Sequence, residues 1–132
     1  MVKRNIKNKA IYYLYIFDCY TIINGLGKNC FYHCYKIGIT NNIKNRLMAI
    51  QNNVPFIVQV RFWAKFKNRE FAQDVEDDIK KQYKRDNLKG EWFLFHDKSL
   101  DKRNKNRRTS ISVVMRYIAK FNSVLEIDTK LI

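Results

Sequence analysis

The chain has 132 residues, of which 46% are hydrophobic, and its formal net charge is +14. This is enough apolar material for one domain with one core, and so positive a balance calls for a polyanionic partner. The composition excludes a membrane span, since no apolar run approaches about 18 residues. It also excludes a disulfide framework, since three cysteines cannot all pair within one chain. No cleavable signal pattern follows the basic start, so a reducing intracellular setting is expected, the cytoplasm or nucleus of a host cell.

Residues 1–9 form a basic arm carrying Lys3, Arg4, Lys7 and Lys9. Residues 10–17, Ala-Ile-Tyr-Tyr-Leu-Tyr-Ile-Phe, read as a strand of aromatic and branched side chains. Tyr13 and Tyr15 share one of its faces. Asn24-Gly25-Leu26-Gly27 signals a turn, and a second strand follows at about 30–39. There Tyr32, Cys34, Lys36 and Gly38 share a face. Gly38 suggests a close approach of backbone or ligand, while Tyr12 and Tyr35 point the other way, toward the core. The spacing of Cys30, His33 and Cys34 matches no standard zinc knuckle. Buried strand cysteines are the better reading.

Thr40 can cap a helix over about 41–52, whose apolar stripe is Ile43, Leu47 and Ile50 with Arg46 on its flank. Residues 56–66 alternate: Phe56, Val58, Val60, Phe62, Ala64 and Phe66 are expected on one face, and Gln59, Arg61 and Lys65 on the other. Asn68 caps a helix over about 69–85 with an inner face of Ala72, Val75, Ile79 and Tyr83, bordered by Glu76. Gly90 turns the chain into a short strand from Glu91 to His96. Residues 98–108 are a basic linker, and a last amphipathic helix over about 110–121 presents Ile111, Val114, Met115 and Ile118 inward. The class is α+β, with helices covering a small, mainly antiparallel sheet.

Two side chains stand out chemically. A carboxylate bordering an apolar helix face, as at Glu76, is costly to desolvate unless it is paired or binds a metal, and magnesium needs only one or two protein carboxylates. Arg46 can form paired hydrogen bonds to a phosphate and stabilise charge developing there. Each has an ordinary alternative, an edge glutamate bonded to a nearby lysine or a solvated helix arginine. The nineteen aromatic residues (two Trp, eight Tyr, nine Phe) could stack on bases, although most fall at strand-core positions.

Together these segments resemble the GIY-YIG nuclease superfamily, and most closely its compact phage-type branch. The motifs are Lys36-Ile37-Gly38-Ile39-Thr40, Arg46 on the next helix, Glu76 on its own helix and Gly90-Glu91-Trp92-Phe93, with Tyr13-Leu14-Tyr15 at the first signature triplet. The resemblance covers about residues 11–97. It implies a three-stranded antiparallel sheet flanked by helices and a hydrolytic nuclease using one divalent metal, Mg²⁺ or Mn²⁺. It implies that Tyr15 helps activate water, Arg46 holds the scissile phosphate and Glu76 binds the metal. Lys36 stands where the second signature tyrosine belongs, and could contact phosphate or act as a base. Tyr13 replaces the glycine of the first triplet. Lys80 stands where a histidine is common, and the loop between the signature strands is long.

The resulting organisation is a basic arm (1–9), a GIY-YIG-like nuclease domain (10–97), and a basic linker with a C-terminal helix packing on the same domain (98–132). The expected function is metal-dependent endonuclease cleavage of DNA by Tyr15, Lys36, Arg46 and Glu76. Tyr13, Tyr35, Gly38, Lys80, Lys102, Arg103, Arg107 and Arg108 are the accompanying candidates for nucleic-acid contact. The alternative is a catalytically weak or inactive nucleic-acid-binding module on the same scaffold, to which Lys36 lends support. A protein–protein adaptor with an acidic partner ranks third. No membrane partner is expected, and both RNA as substrate and a homodimer stay open.

Overall fold

The aromatic and branched residues that open the chain favour extended backbone because their side chains pack well on a pleated surface. In the computed structural model they form β1 (Tyr12–Ile23), which pairs antiparallel with β2 (Cys30–Thr40) on one side and β3 (Ile57–Phe66) on the other. The structure describes residues 11–23, 30–55, 57–95, 109–121 and 128–131, without the side chains of 21–23, 30–33 and 128–131.

The sheet has six strands in the order β4-β5-β2-β1-β3-β6, every pair antiparallel, rather than the three expected. The unexpected strands are β4 (Asn87–Lys89) and β6 (Asp128–Leu131) at the edges, while β5 (Trp92–Phe93), against β2, is the strand expected over Glu91–His96, shortened to two residues. These strands are two to four residues long, too short for alternation to mark them.

The register of β1 with β3 shifts between Ile16 and Phe17, which face Phe62 and Val60. Arg61 is the extra residue of this bulge, and it pairs with the buried Asp18 at 3.5 Å. The bulge overturns the expected single apolar face of β3. Phe62, Ala64 and Phe66 enter the larger core, whereas Val58 and Val60 join a smaller cluster on the opposite face. Phe56 lies outside the described residues.

Helix α1 (Ile43–Asn53) covers the smaller cluster with Ile50, Leu47 and Ile43 over Tyr15, Phe17 and Cys19. Its cap is Asn42, whose side chain accepts from the Asn45 N–H at 3.0 Å. Thr40, the expected cap, instead accepts from the Asn42 N–H at 3.1 Å and sets up the turn before the helix.

Helix α2 (Arg69–Gln82) begins at its expected cap, Asn68, and buries Ala72, Val75, Glu76 and Ile79. It ends three residues early, at Gln82 with Tyr83 as its C-cap, and a 3₁₀ turn (Lys84–Asp86) leads into β4. Helix α3 (Ile111–Ala119) buries the expected Ile111, Val114, Met115 and Ile118 in the same large core as α2. Two polar contacts dock it. The buried Asp86 accepts from Thr109 N–H and Oγ1 at 3.2 and 2.7 Å, and Tyr117 donates to Asp78 on α2.

Among the described residues, no helix is long and apolar enough to cross a membrane.

Candidate active site

Tyr15 sits on the central strand, opposite Gly38 of β2 and Trp63 of β3. Its ring stacks on Phe17 with centroids 4.1 Å apart, and the whole residue is buried. Opposed residues on paired strands share a face, so Lys36, Gly38 and Cys34 lie on the Tyr15 side of the sheet, as alternation predicts.

A methyl group at Gly38 would stand 2.5 Å from the Tyr15 hydroxyl and 2.7 Å from Glu91 Oε1. No side chain fits there, and the missing one is what lets Tyr15 and Glu91 meet over the strand. Glu91 is placed by backbone. Gly90 takes the left-handed conformation (φ +56°) that turns β4 toward β5, and the Glu91 carbonyl accepts from the Ile37 N–H at 2.9 Å.

Three donors then converge on one oxygen, Glu91 Oε1. The Tyr15 hydroxyl donates to it at 3.2 Å, Lys36 Nζ lies 3.4 Å away and the Arg46 guanidinium 3.9 Å away. Arg46 also donates from Nε to the Tyr15 oxygen at 3.1 Å. Lys36 is held over the Trp92 ring, 4.6 Å from its centroid. Burial pushes the Tyr15 hydroxyl well above the ordinary tyrosine range. The Arg46 bond opposes this, and the Glu91 charge adds to it. The phenol is therefore protonated across the physiological range.

Glu76 reaches this group only through electrostatics. It belongs to the helix over the opposite face, so the four expected catalytic residues do not form one contact cluster. Its Oε1 accepts from Gln73 Nε2 at 2.9 Å, while the buried Oε2 has no hydrogen-bond partner. Lys80 Nζ stands 3.8 Å from Oε2, close enough for attraction but too far for a hydrogen bond. Burial raises the Glu76 pKa, Lys80 lowers it, and the charge of Glu91 raises it again. The two carboxylates therefore sense each other. An orphaned buried carboxylate oxygen within electrostatic reach of a second carboxylate fits one protein ligand of a hydrated divalent ion. Among the described residues, no group of three or more His, Cys, Asp or Glu could hold a metal ion.

The remaining candidates divide. Lys80 lies beside Glu76, and Tyr13 packs edge-to-face on Trp63 with centroids 5.5 Å apart. Tyr35 does not join the site: it packs in the large core against Phe95, on the face of the sheet opposite Tyr15, Lys36 and Arg46. Gly38 is buried as well, and makes room rather than contact. Lys102, Arg103, Arg107 and Arg108 lie outside the described residues, as do the basic arm and the side chains of Cys30 and His33. Glu91 and Trp92 belong to the Gly90-Glu91-Trp92-Phe93 motif, but the motif alone assigns neither of them a role. The available signal was a carboxylate directly after a turn glycine and directly before an aromatic strand.

Comparison with protein families matches residues 12–108 to the T5orf172 domain. The chain belongs to the T5orf172 domain family. This is a phage-associated domain of a nuclease-related group. The matched T5orf172 region runs from β1 through β5, so it contains Tyr15, Lys36, Arg46, Glu76 and Glu91, and stops short of α3. No curated protein and no solved structure matches this T5orf172 chain.

Proposed function

We propose that this protein is a divalent-metal-dependent endonuclease of the GIY-YIG type that hydrolyses phosphodiester bonds in DNA inside the cell. The observation that carries the reading is the seat at Glu91 Oε1, where a tyrosine hydroxyl, a lysine and an arginine converge on one anionic oxygen. A phosphate oxygen has the same charge and accepts the same donors, and arginine adds a planar fork suited to it. The net charge of +14 brings the polyanion to that seat.

The roles follow from the contacts. Lys36 and Arg46 are loosely held by Glu91, at 3.4 and 3.9 Å, and turn to the incoming phosphate. Tyr15 cannot serve as a base alone, because burial keeps its proton on. It accepts a proton from water only by passing its own to Glu91, so Tyr15 and Glu91 form one relay. Protonation then neutralises Glu91 as negative charge builds on the phosphate. Glu76 Oε2, within electrostatic reach of Glu91, would hold the metal, Mg²⁺ or Mn²⁺, which would supply charge to polarise the phosphate and stabilise the leaving oxygen.

One observation favours a second reading, a nucleic-acid-binding module without catalysis. Lys36 replaces a signature tyrosine, and its amine is engaged by both Glu91 and Trp92. Plasmid incubated with the protein and Mg²⁺ or Mn²⁺, with an EDTA control, separates the two. Metal-dependent nicking supports the enzyme, whereas salt-sensitive gel shifts without nicking support the binder.

A further inference from the structure

We propose that the groove between the start of α1 and the exposed rim of β1 and β3 is a nucleobase subsite, taking the base beside the phosphate seated at Arg46. This rests on the nucleic-acid reading of the Tyr15 site. The groove has a volume of about 600 Å³, within the range of small-molecule pockets. Its apolar walls are Tyr13, Trp63 and Leu47. The two rings stand at 87° to each other, so together they present a face and an edge, the surfaces on which a flat heterocycle packs.

The polar groups suit a base and its phosphate. Asn41 is exposed at the groove, and its carboxamide offers both a donor and an acceptor to a base edge. The neighbouring Asn42 oxygen is already committed to capping α1. Lys44 lines the mouth, Lys65 stands across the β1–β3 ladder from Tyr13, and no lining residue is acidic.

Location ties the groove to the phosphate seat. Tyr13 lies two residues from Tyr15 on the same face of β1, roughly 7 Å along the strand. Leu47 directly follows Arg46 on α1. A nucleotide whose phosphate is held by Arg46 therefore has its base within reach of Tyr13 and Trp63. A fully paired duplex keeps its bases stacked inside, so the occupant is an unstacked base in single-stranded or distorted nucleic acid.

The test uses the wild-type protein in EDTA, where the proposed cleavage is silent. Binding of a single-stranded thymidine dodecamer is compared with that of an abasic deoxyribose-phosphate strand of equal length. The wild type is expected to favour the base-bearing strand about tenfold, the size of one base stacked on an aromatic ring. Trp63→Leu and Tyr13→Leu should bring that ratio toward one, while Lys44→Ala weakens both strands alike. The Trp63 indole NMR signal of the unaltered protein should shift with thymidine monophosphate and not with deoxyribose phosphate. Equal binding of the two strands, an undiminished ratio in folded variants, or an unmoved indole signal overturns the subsite and leaves the phosphate seat standing. Binding of neither strand removes the phosphate seat, and the subsite with it.

Discussion

The hydroxyl of Tyr15 donates a 3.2 Å hydrogen bond to Glu91, a residue 76 positions further along the chain. Tyr15 comes from the centre of the sheet and Glu91 from a hairpin at its edge. They meet because β5 pairs with β2 and because Gly38 leaves the intervening space open. In the proposed mechanism the carboxylate occupies the position a phosphate oxygen would take and accepts the proton that Tyr15 gives away.

Replacing Glu91 should therefore separate binding from turnover. Glu91→Gln removes the charge that competes with phosphate and also the proton acceptor. DNA should bind about fivefold more tightly, worth roughly 1 kcal/mol. The cleavage rate at saturating DNA should fall by about 10²–10⁴-fold. Single-turnover kinetics with titrated DNA measures both. Weaker binding with an unchanged rate would assign Glu91 to positioning Lys36 and Arg46 instead.

Gly38→Ala would place a carbon 2.5 Å from the Tyr15 oxygen. The ring is buried and stacked on Phe17, so it cannot yield cheaply. Urea unfolding should show a loss of about 1–3 kcal/mol, and phosphate-dependent binding should fall with it. Full stability in the alanine variant would show that the close approach is not a constraint.

Glu76 should show a conflict between stability and function. Its folded pKa is raised above the unfolded value of about 4.5. The native state thus binds that proton more tightly, and the stabilisation this gives is fully present below the unfolded pKa and lost as pH rises through the folded one. At neutral pH without metal, Glu76→Gln should be more stable than wild type by about 1 kcal/mol, the order of one unsatisfied buried polar group. Its advantage should shrink as pH is lowered toward 4.5. Millimolar Mg²⁺ or Mn²⁺ should raise the melting temperature of wild type and not of the variant. Thermal melts across pH, with metal and with EDTA, check all three.

Helix α3 should loosen at high pH. The Asp78 carboxylate bonded to the Tyr117 hydroxyl pushes its pKa up from 10.0 to about 12. This contribution is complete below the unfolded value and lost as pH climbs through the folded one. Tyr117→Phe should cost roughly 1–2 kcal/mol at neutral pH. The cost should vanish in the strongly alkaline range, as read by urea unfolding at a series of pH values.

Much of this architecture is legible in the sequence wherever one element determines its own pattern. Asn68 and the spacing of Ala72, Val75 and Ile79 announce α2, and alternation correctly sets Tyr15, Lys36 and Gly38 on one face. The bulge at Arg61 is different, because it arises from how β3 meets β1, and the alternation of β3 runs through it unmarked. Strands β4 and β5 are too short to carry a period. Glu91 is visible as part of a motif but its role is not: its partners come from β1, β2 and α1, and only tertiary pairing brings them to it. Tyr35 shows the converse. Its place in the core follows from alternation, and its proximity to the signature position suggests a ligand contact that its place on the opposite face of the sheet excludes.

Catalysis as proposed requires Tyr15, Lys36 and Arg46 to form a phosphate seat that works with a metal at Glu76. The most direct measurement is nicking of supercoiled plasmid by folded wild type, Arg46→Ala and Glu76→Ala proteins in Mg²⁺, Mn²⁺ and EDTA. The account predicts metal-dependent nicks by wild type, none in EDTA, and at least about a 10²-fold loss in either variant. Undiminished nicking by folded Glu76→Ala, or no nicking by wild type with either metal, would contradict it.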